Sequence, residues 1–119
     1  MRTAILAAWL VVGFTPSAGS RQDGTVAVYG QGVSVSCGAW TEDRATAIAG
    51  GSTRAANMSW TWVVGYVSGA GVWFDGRIAE TDSDAIRAFV DKHCRENPLD
   101  RLVDASNALV RALRDRARP

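Results

Sequence analysis

NMSWTWVVGYVSGAGVWF, residues 57 to 74, contains no charged side chain and repeats its large apolar residues at intervals of three and four. Trp60, Val63, Val64, Val67, Gly71 and Phe74 fall on one helical face, and Asn57 suits the cap that opens it. Trp62, Tyr66 and Trp73 form a second, aromatic strip, while Gly65 and Gly69 occupy a third side. A helix that is apolar all round is normally buried centrally, so the spacing predicts a central helix here. Each glycine costs about 1 kcal/mol relative to alanine inside a helix, so the pair predicts a neighbouring helix packed against bare backbone. The run from Met58 to Phe74 is shorter than the roughly 20 residues of a bilayer-spanning helix, and no stable membrane span is expected of it.

Working outward, the flanking segments also read as helices. Ser36 can cap a helix starting at Cys37, whose inward stripe is Cys37, Trp40, Thr41, Arg44 and Ile48, and Gly50-Gly51 ends it. Gly50 to Ala56 reads as a linker of small and polar residues. Beyond the central segment, Asp75-Gly76-Arg77 makes a turn. Thr81 to Asp84 imitates a capping box before a third stripe of Ile86, Phe89, Val90, His93 and Cys94. Asn97-Pro98 stops that helix and can start a fourth, with Leu99, Leu102, Ser106, Leu109, Val110 and Leu113 on one face. The fold class is therefore all-α: a small four-helix domain over residues 35–116, orthogonal or bundle-like, with a short extended N-terminal arm over residues 21–34. The stretch Thr25 to Tyr29 is the extended part of that arm.

Residues 1–20 read as a secretory signal peptide. Arg2 supplies the positive end, Ala4 to Phe14 the apolar run, and Thr15 to Ser20 the small-residue exit. The mature chain is expected in the periplasm or secreted, where thiols oxidise, and its two cysteines allow one pairing, Cys37 with Cys94. That bridge closes a loop of about 60 residues, worth roughly 4 kcal/mol by the chain-entropy model. Cys37 opens the first helix and Cys94 nearly closes the third, so side-by-side packing makes the two antiparallel. Without Arg2 the basic residues balance the 12 acidic ones. A neutral chain offers no field for a phosphate backbone, so nucleic acid is not an expected partner.

Three spaced motifs add a resemblance: Cys37-Gly38-x-Trp40, Gly65-Tyr66-x-Ser68-Gly69, and Asp91-x-x-Cys94-Arg95-x-Asn97-Pro98-Leu99. The pattern resembles small exported proteobacterial proteins that look distantly like the Rap/Tai-type immunity proteins of type VI secretion. HdeA-type periplasmic acid chaperones are similar in outline and size. The resemblance implies an exported, non-enzymatic binding protein, immunity-like, that inhibits a periplasmic effector. The alternative it implies is a pH-responsive periplasmic chaperone or stress protein. Neither group supplies a catalytic residue to carry over.

Residue chemistry points the same way. His93 is the one histidine and adjoins Cys94, but helical neighbours point about 100° apart, and a bridged cysteine has no thiolate. Cys37, His93 and Cys94 lack a fourth ligand and the paired spacing of a zinc site. Asp82 and Asp84 begin like a calcium loop without its glycine or closing glutamate, and a helix N-terminus already favours acids there. Asn57-Met58-Ser59 matches a glycosylation sequon, with helix capping the simpler role. No catalytic, cofactor or metal site is expected, and a lone histidine completes no hydrolytic set. Trp62, Tyr66 and Trp73 are the candidate contacts for a protein partner or a second copy, since aromatic residues are enriched at interfaces. Core packing is the competing role for all three.

Overall fold

The computed structural model describes residues 28–119, and the expected signal peptide, residues 1–20, lies outside them. Five helices follow in order: α1 Gln31–Ser34, α2 Cys37–Ile48, α3 Arg54–Trp73, α4 Ser83–Glu96 and α5 Leu102–Arg116. There is no strand among the described residues, only an isolated antiparallel bridge between Ser36 and Arg101. The fold is all-α, with the four expected helices and one further turn, α1, in the arm. Thr25 to Ala27 of the expected extended stretch lie outside the described residues.

α2 begins and ends as its sequence dictates. The Ser36 hydroxyl accepts from Ala39 N–H at 3.1 Å. At the far end Gly50 has φ +86°, Gly50 N–H reaches Ala47 O at 3.1 Å and Gly51 N–H reaches Thr46 O at 2.9 Å. That pair of bonds is a Schellman ending, for which an L-residue at position 50 would be strained. α3 starts at Arg54, three residues before the expected cap at Asn57, because Arg54-Ala55-Ala56 are strong helix formers with nothing to interrupt them. Asn57 lies inside the helix, and its own N–H bonds Thr53 O at 2.9 Å.

The capping of α4 falls one residue later than the sequence suggests: the Asp82 carboxylate, not Thr81, accepts from Ala85 N–H at 2.7 Å. α5 departs further. Asn97-Pro98 does not start it, and the helix opens at Leu102. The intervening carbonyls serve α2 instead, with Cys37 N–H bonding Asp100 O at 2.7 Å and Gly38 N–H bonding Pro98 O at 3.1 Å. Orphan amides at a helix start need acceptors, and this demand holds residues 97–101 out of helical geometry. Leu99, expected on the buried stripe, is consequently 96 % exposed.

The core gathers Trp40 and Cys37 from α2, Val63 and Val67 from α3, Val90 and Cys94 from α4, and Leu102 with Leu109 from α5. Thr41 and Ile48 of the expected α2 stripe are exposed, so only Cys37 and Trp40 of that stripe are fully buried. Cys37 and Cys94 are bonded, with Cα atoms 4.6 Å apart and both side chains buried. The same two helices meet again where Arg44 grips Asp91. Residue numbers rise along α2 as they fall along α4, so the pair is antiparallel as the bridge implies. α3 and α5 advance in the same sense, because Tyr66 meets Asn107 and Phe74 lies under Arg114.

Candidate binding face on α3

The three aromatic candidates divide into two uses. Trp62 stacks on Tyr66 with ring centroids 4.9 Å apart, and its indole N–H donates to Tyr29 O at 2.9 Å. The arm lies directly on this ring: a Cβ at Gly32 would collide with the Trp62 six-membered ring, and one at Gly30 would touch it at 3.5 Å. Arg101 fastens the arm from the other side by donating to Val33 O. Tyr66 O–H donates to Asn107 Oδ1 at 2.5 Å, tying α3 to α5. Both residues therefore hold the molecule's own elements together. Trp73 does not; it is 72 % exposed.

The surface beside Trp73 is the outer side of α3. Half of the helix's twenty residues are exposed. At the spacing of one face these are Met58, Thr61, Gly65, Gly69 and Val72, with Val72 83 % exposed. Gly65 and Gly69 were expected to receive a neighbouring helix. The structure corrects this: a Cβ at either position would meet nothing within 4 Å. α3 is covered by α1, α2 and α5 on its other sides, and its bare-backbone side faces solvent. No charged residue interrupts this side between Arg54 and Asp75.

At its C-terminal end the face runs into an open groove of about 660 Å³. Val67, Gly71, Ile78, Ile86 and Leu113 line it, with Asp75 and Glu80 also at its walls. Asp75 adopts φ 57° and Gly76 φ 72°, and Gly76 N–H bonds Gly71 O at 2.8 Å, which ends α3 sharply and opens this groove.

The residues weighed for chemistry are engaged elsewhere. Cys37 and Cys94 are bonded to each other and hold no thiolate for a nucleophile or a zinc ion. His93 Nε2 lies 2.9 Å from Asp100 Oδ2, joining α4 to the turn that caps α2. Asp82 caps α4, and Asp84 lies 3.7 Å from Arg87. Among the described residues no three His, Cys, Asp or Glu side chains come together as a metal site. No helix among them is long and apolar enough to cross a membrane.

One polar cluster escaped the sequence reading. The Asp91 carboxylate accepts from Trp40 Nε1 at 2.8 Å, from Arg44 Nε at 2.9 Å and from Arg44 Nη2 at 2.7 Å. Burial alone would raise the Asp91 carboxyl, but the Arg44 and Trp40 bonds and the nearby charges of Arg44 and Arg95 outweigh it and hold it below the ordinary carboxylate range. The hydrogen bond to Asp91 raises the Arg44 guanidinium against the opposing effect of burial. The signal was present in the register: Trp40 lies three residues after Cys37 and Asp91 three before Cys94, so an antiparallel bridge places them side by side.

No family model, no curated protein and no solved structure matches this chain.

Proposed function

We propose that this is an exported, non-enzymatic binding protein whose working surface is the outer side of α3. The observation that carries the reading is that this side is uncharged, exposes Met58, Val72 and Trp73, and among the described residues has nothing within 4 Å of a Cβ at Gly65 or Gly69. Exposed apolar side chains grouped as Val72 and Trp73 are, beside the groove at the end of α3, mark an interaction site. The buried Cys37–Cys94 bridge is compatible with work outside the cytoplasm, where such bonds persist. The sequence resemblance to Rap/Tai-type proteins favours inhibition of a periplasmic effector within this class.

The test uses tagged, oxidised protein as bait in periplasmic extract that also contains untagged copies, beside a Val72→Asp, Trp73→Asp variant. The proposal expects a stoichiometric partner, an effector or the untagged chain, retained by the native bait and lost by the variant. Recovery of no such partner, or equal recovery by both baits, contradicts it. Protection of cells from the captured effector's toxicity is the further result that the immunity reading requires.

A further inference from the structure

The open side of α3 has features that say what covers it. Arg54 stands at one end of the uncharged stretch and Asp75 at the other. Gly65 and Gly69 lie near its middle with nothing over them. Exposed glycines inside a helix lower its stability, and among the described residues no contact offsets that at Gly65 or Gly69. A second α3 laid antiparallel, with the two-fold axis at Gly65, removes the discrepancy. Gly65 then faces Gly65, Thr61 faces Gly69, and Met58 of each copy is level with Val72 of the other. The ends match as well, since Arg54 of each copy comes level with Asp75 of its mate, twice by symmetry. A parallel pairing would instead set Arg54 against Arg54, while the other end, with Asp75 and Arg77, is of mixed sign in either pairing. End charges of this kind contribute little affinity but decide orientation.

We infer that the occupant of the α3 face is a second copy of this chain, bound as an antiparallel, two-fold symmetric dimer centred on Gly65. The contact is isologous, so one patch completes itself and the assembly stops at two. Side-chain-free glycines let the axes approach to about 8 Å, the short end of helix packing. Half the circumference of a helix about 30 Å long presents roughly 600 Å² of accessible surface, so two copies bury about 1,200 Å². That is the lower bound of stable specific interfaces. The inference rests on the reading of α3 as the binding surface and names its partner.

Sedimentation velocity of the oxidised full chain over a wide micromolar range tests it, with Gly69→Arg, Gly65→Cys and Arg54→Cys beside the native protein. The expected results are a concentration-dependent monomer–dimer equilibrium and at least a tenfold weaker association for Gly69→Arg, whose monomer should unfold at no lower a temperature than the native monomer. Under oxidised glutathione Gly65→Cys should form a covalent dimer, whereas Arg54→Cys, distant from its own copy, should not. A native protein that is monomeric throughout overturns the inference, as does a dimer that Gly69→Arg leaves intact or that Arg54→Cys cross-links better than Gly65→Cys. A monomer that still captures a different protein through Val72 and Trp73 overturns the dimer alone and leaves the binding reading standing.

Discussion

Replacing Gly65 and Gly69 by alanine should stabilise the monomer, the reverse of what the sequence predicts. The added Cβ atoms meet nothing within 4 Å, so no overpacking term opposes the change. Each substitution recovers about 1 kcal/mol of helix propensity, chiefly by restricting the unfolded chain, and the double variant should gain roughly 2 kcal/mol. For a domain of this size that raises the melting temperature by about 8–16 °C. Urea titrations followed by helical circular dichroism, at the lowest protein concentration that gives signal, separate this gain from any effect on association. A higher midpoint with an unchanged slope is the expected result. A loss of 1 kcal/mol or more would show that another part of the chain packs on this backbone, and the account of an open α3 side would fail.

Other substitutions probe the remaining contacts. Gly32→Ala drives a methyl group into the Trp62 ring and should release the arm, costing about 1–3 kcal/mol and making residues 28–34 sensitive to protease while α2 to α5 stay folded. Asp91→Ala strands the Trp40 indole N–H and the Arg44 guanidinium and should cost roughly 3 kcal/mol in denaturant titrations. The native Asp91 carboxyl is held below its unfolded value, so its stabilisation is complete above about pH 4 and disappears as the pH falls through the folded value. Asp91→Asn should therefore flatten the acid limb of stability against pH. Ser59 Oγ is buried with no hydrogen-bond partner among the described residues, and Ser59→Ala should stabilise by about 1 kcal/mol, measured as a rise in the urea midpoint.

The four longer helices, the bridge and most of the inward stripes of α4 and α5 were legible because amphipathic spacing and cysteine number are local properties. Cys37 and Trp40, Ile86, Val90 and Cys94, and Leu102 through Leu113 reach the core as their periodicity requires. What was not legible depends on elements meeting across the molecule. Leu99 reads as a core residue until the amides of Cys37 and Gly38 claim the carbonyls around it. Gly65 and Gly69 read as a packing seam because an apolar helix is ordinarily surrounded, whereas the described elements leave that side of α3 uncovered. Trp62, Tyr66 and Trp73 look alike in sequence, yet Tyr29, the arm glycines and Asn107 occupy the first two and leave Trp73 exposed. Asn107 falls just off the α5 stripe, where nothing in the sequence marks it as the acceptor for Tyr66.

The tether between α2 and α4 is the element on which the small core depends, and reduction tests it most directly. Alkylation of the denatured, unreduced protein followed by mass measurement should add no label. Reduction should expose both thiols and lower the unfolding free energy by about 4 kcal/mol, a large share of the roughly 5–15 typical of a domain. Two labelled cysteines before reduction, or an unfolding midpoint indifferent to reductant, would contradict it.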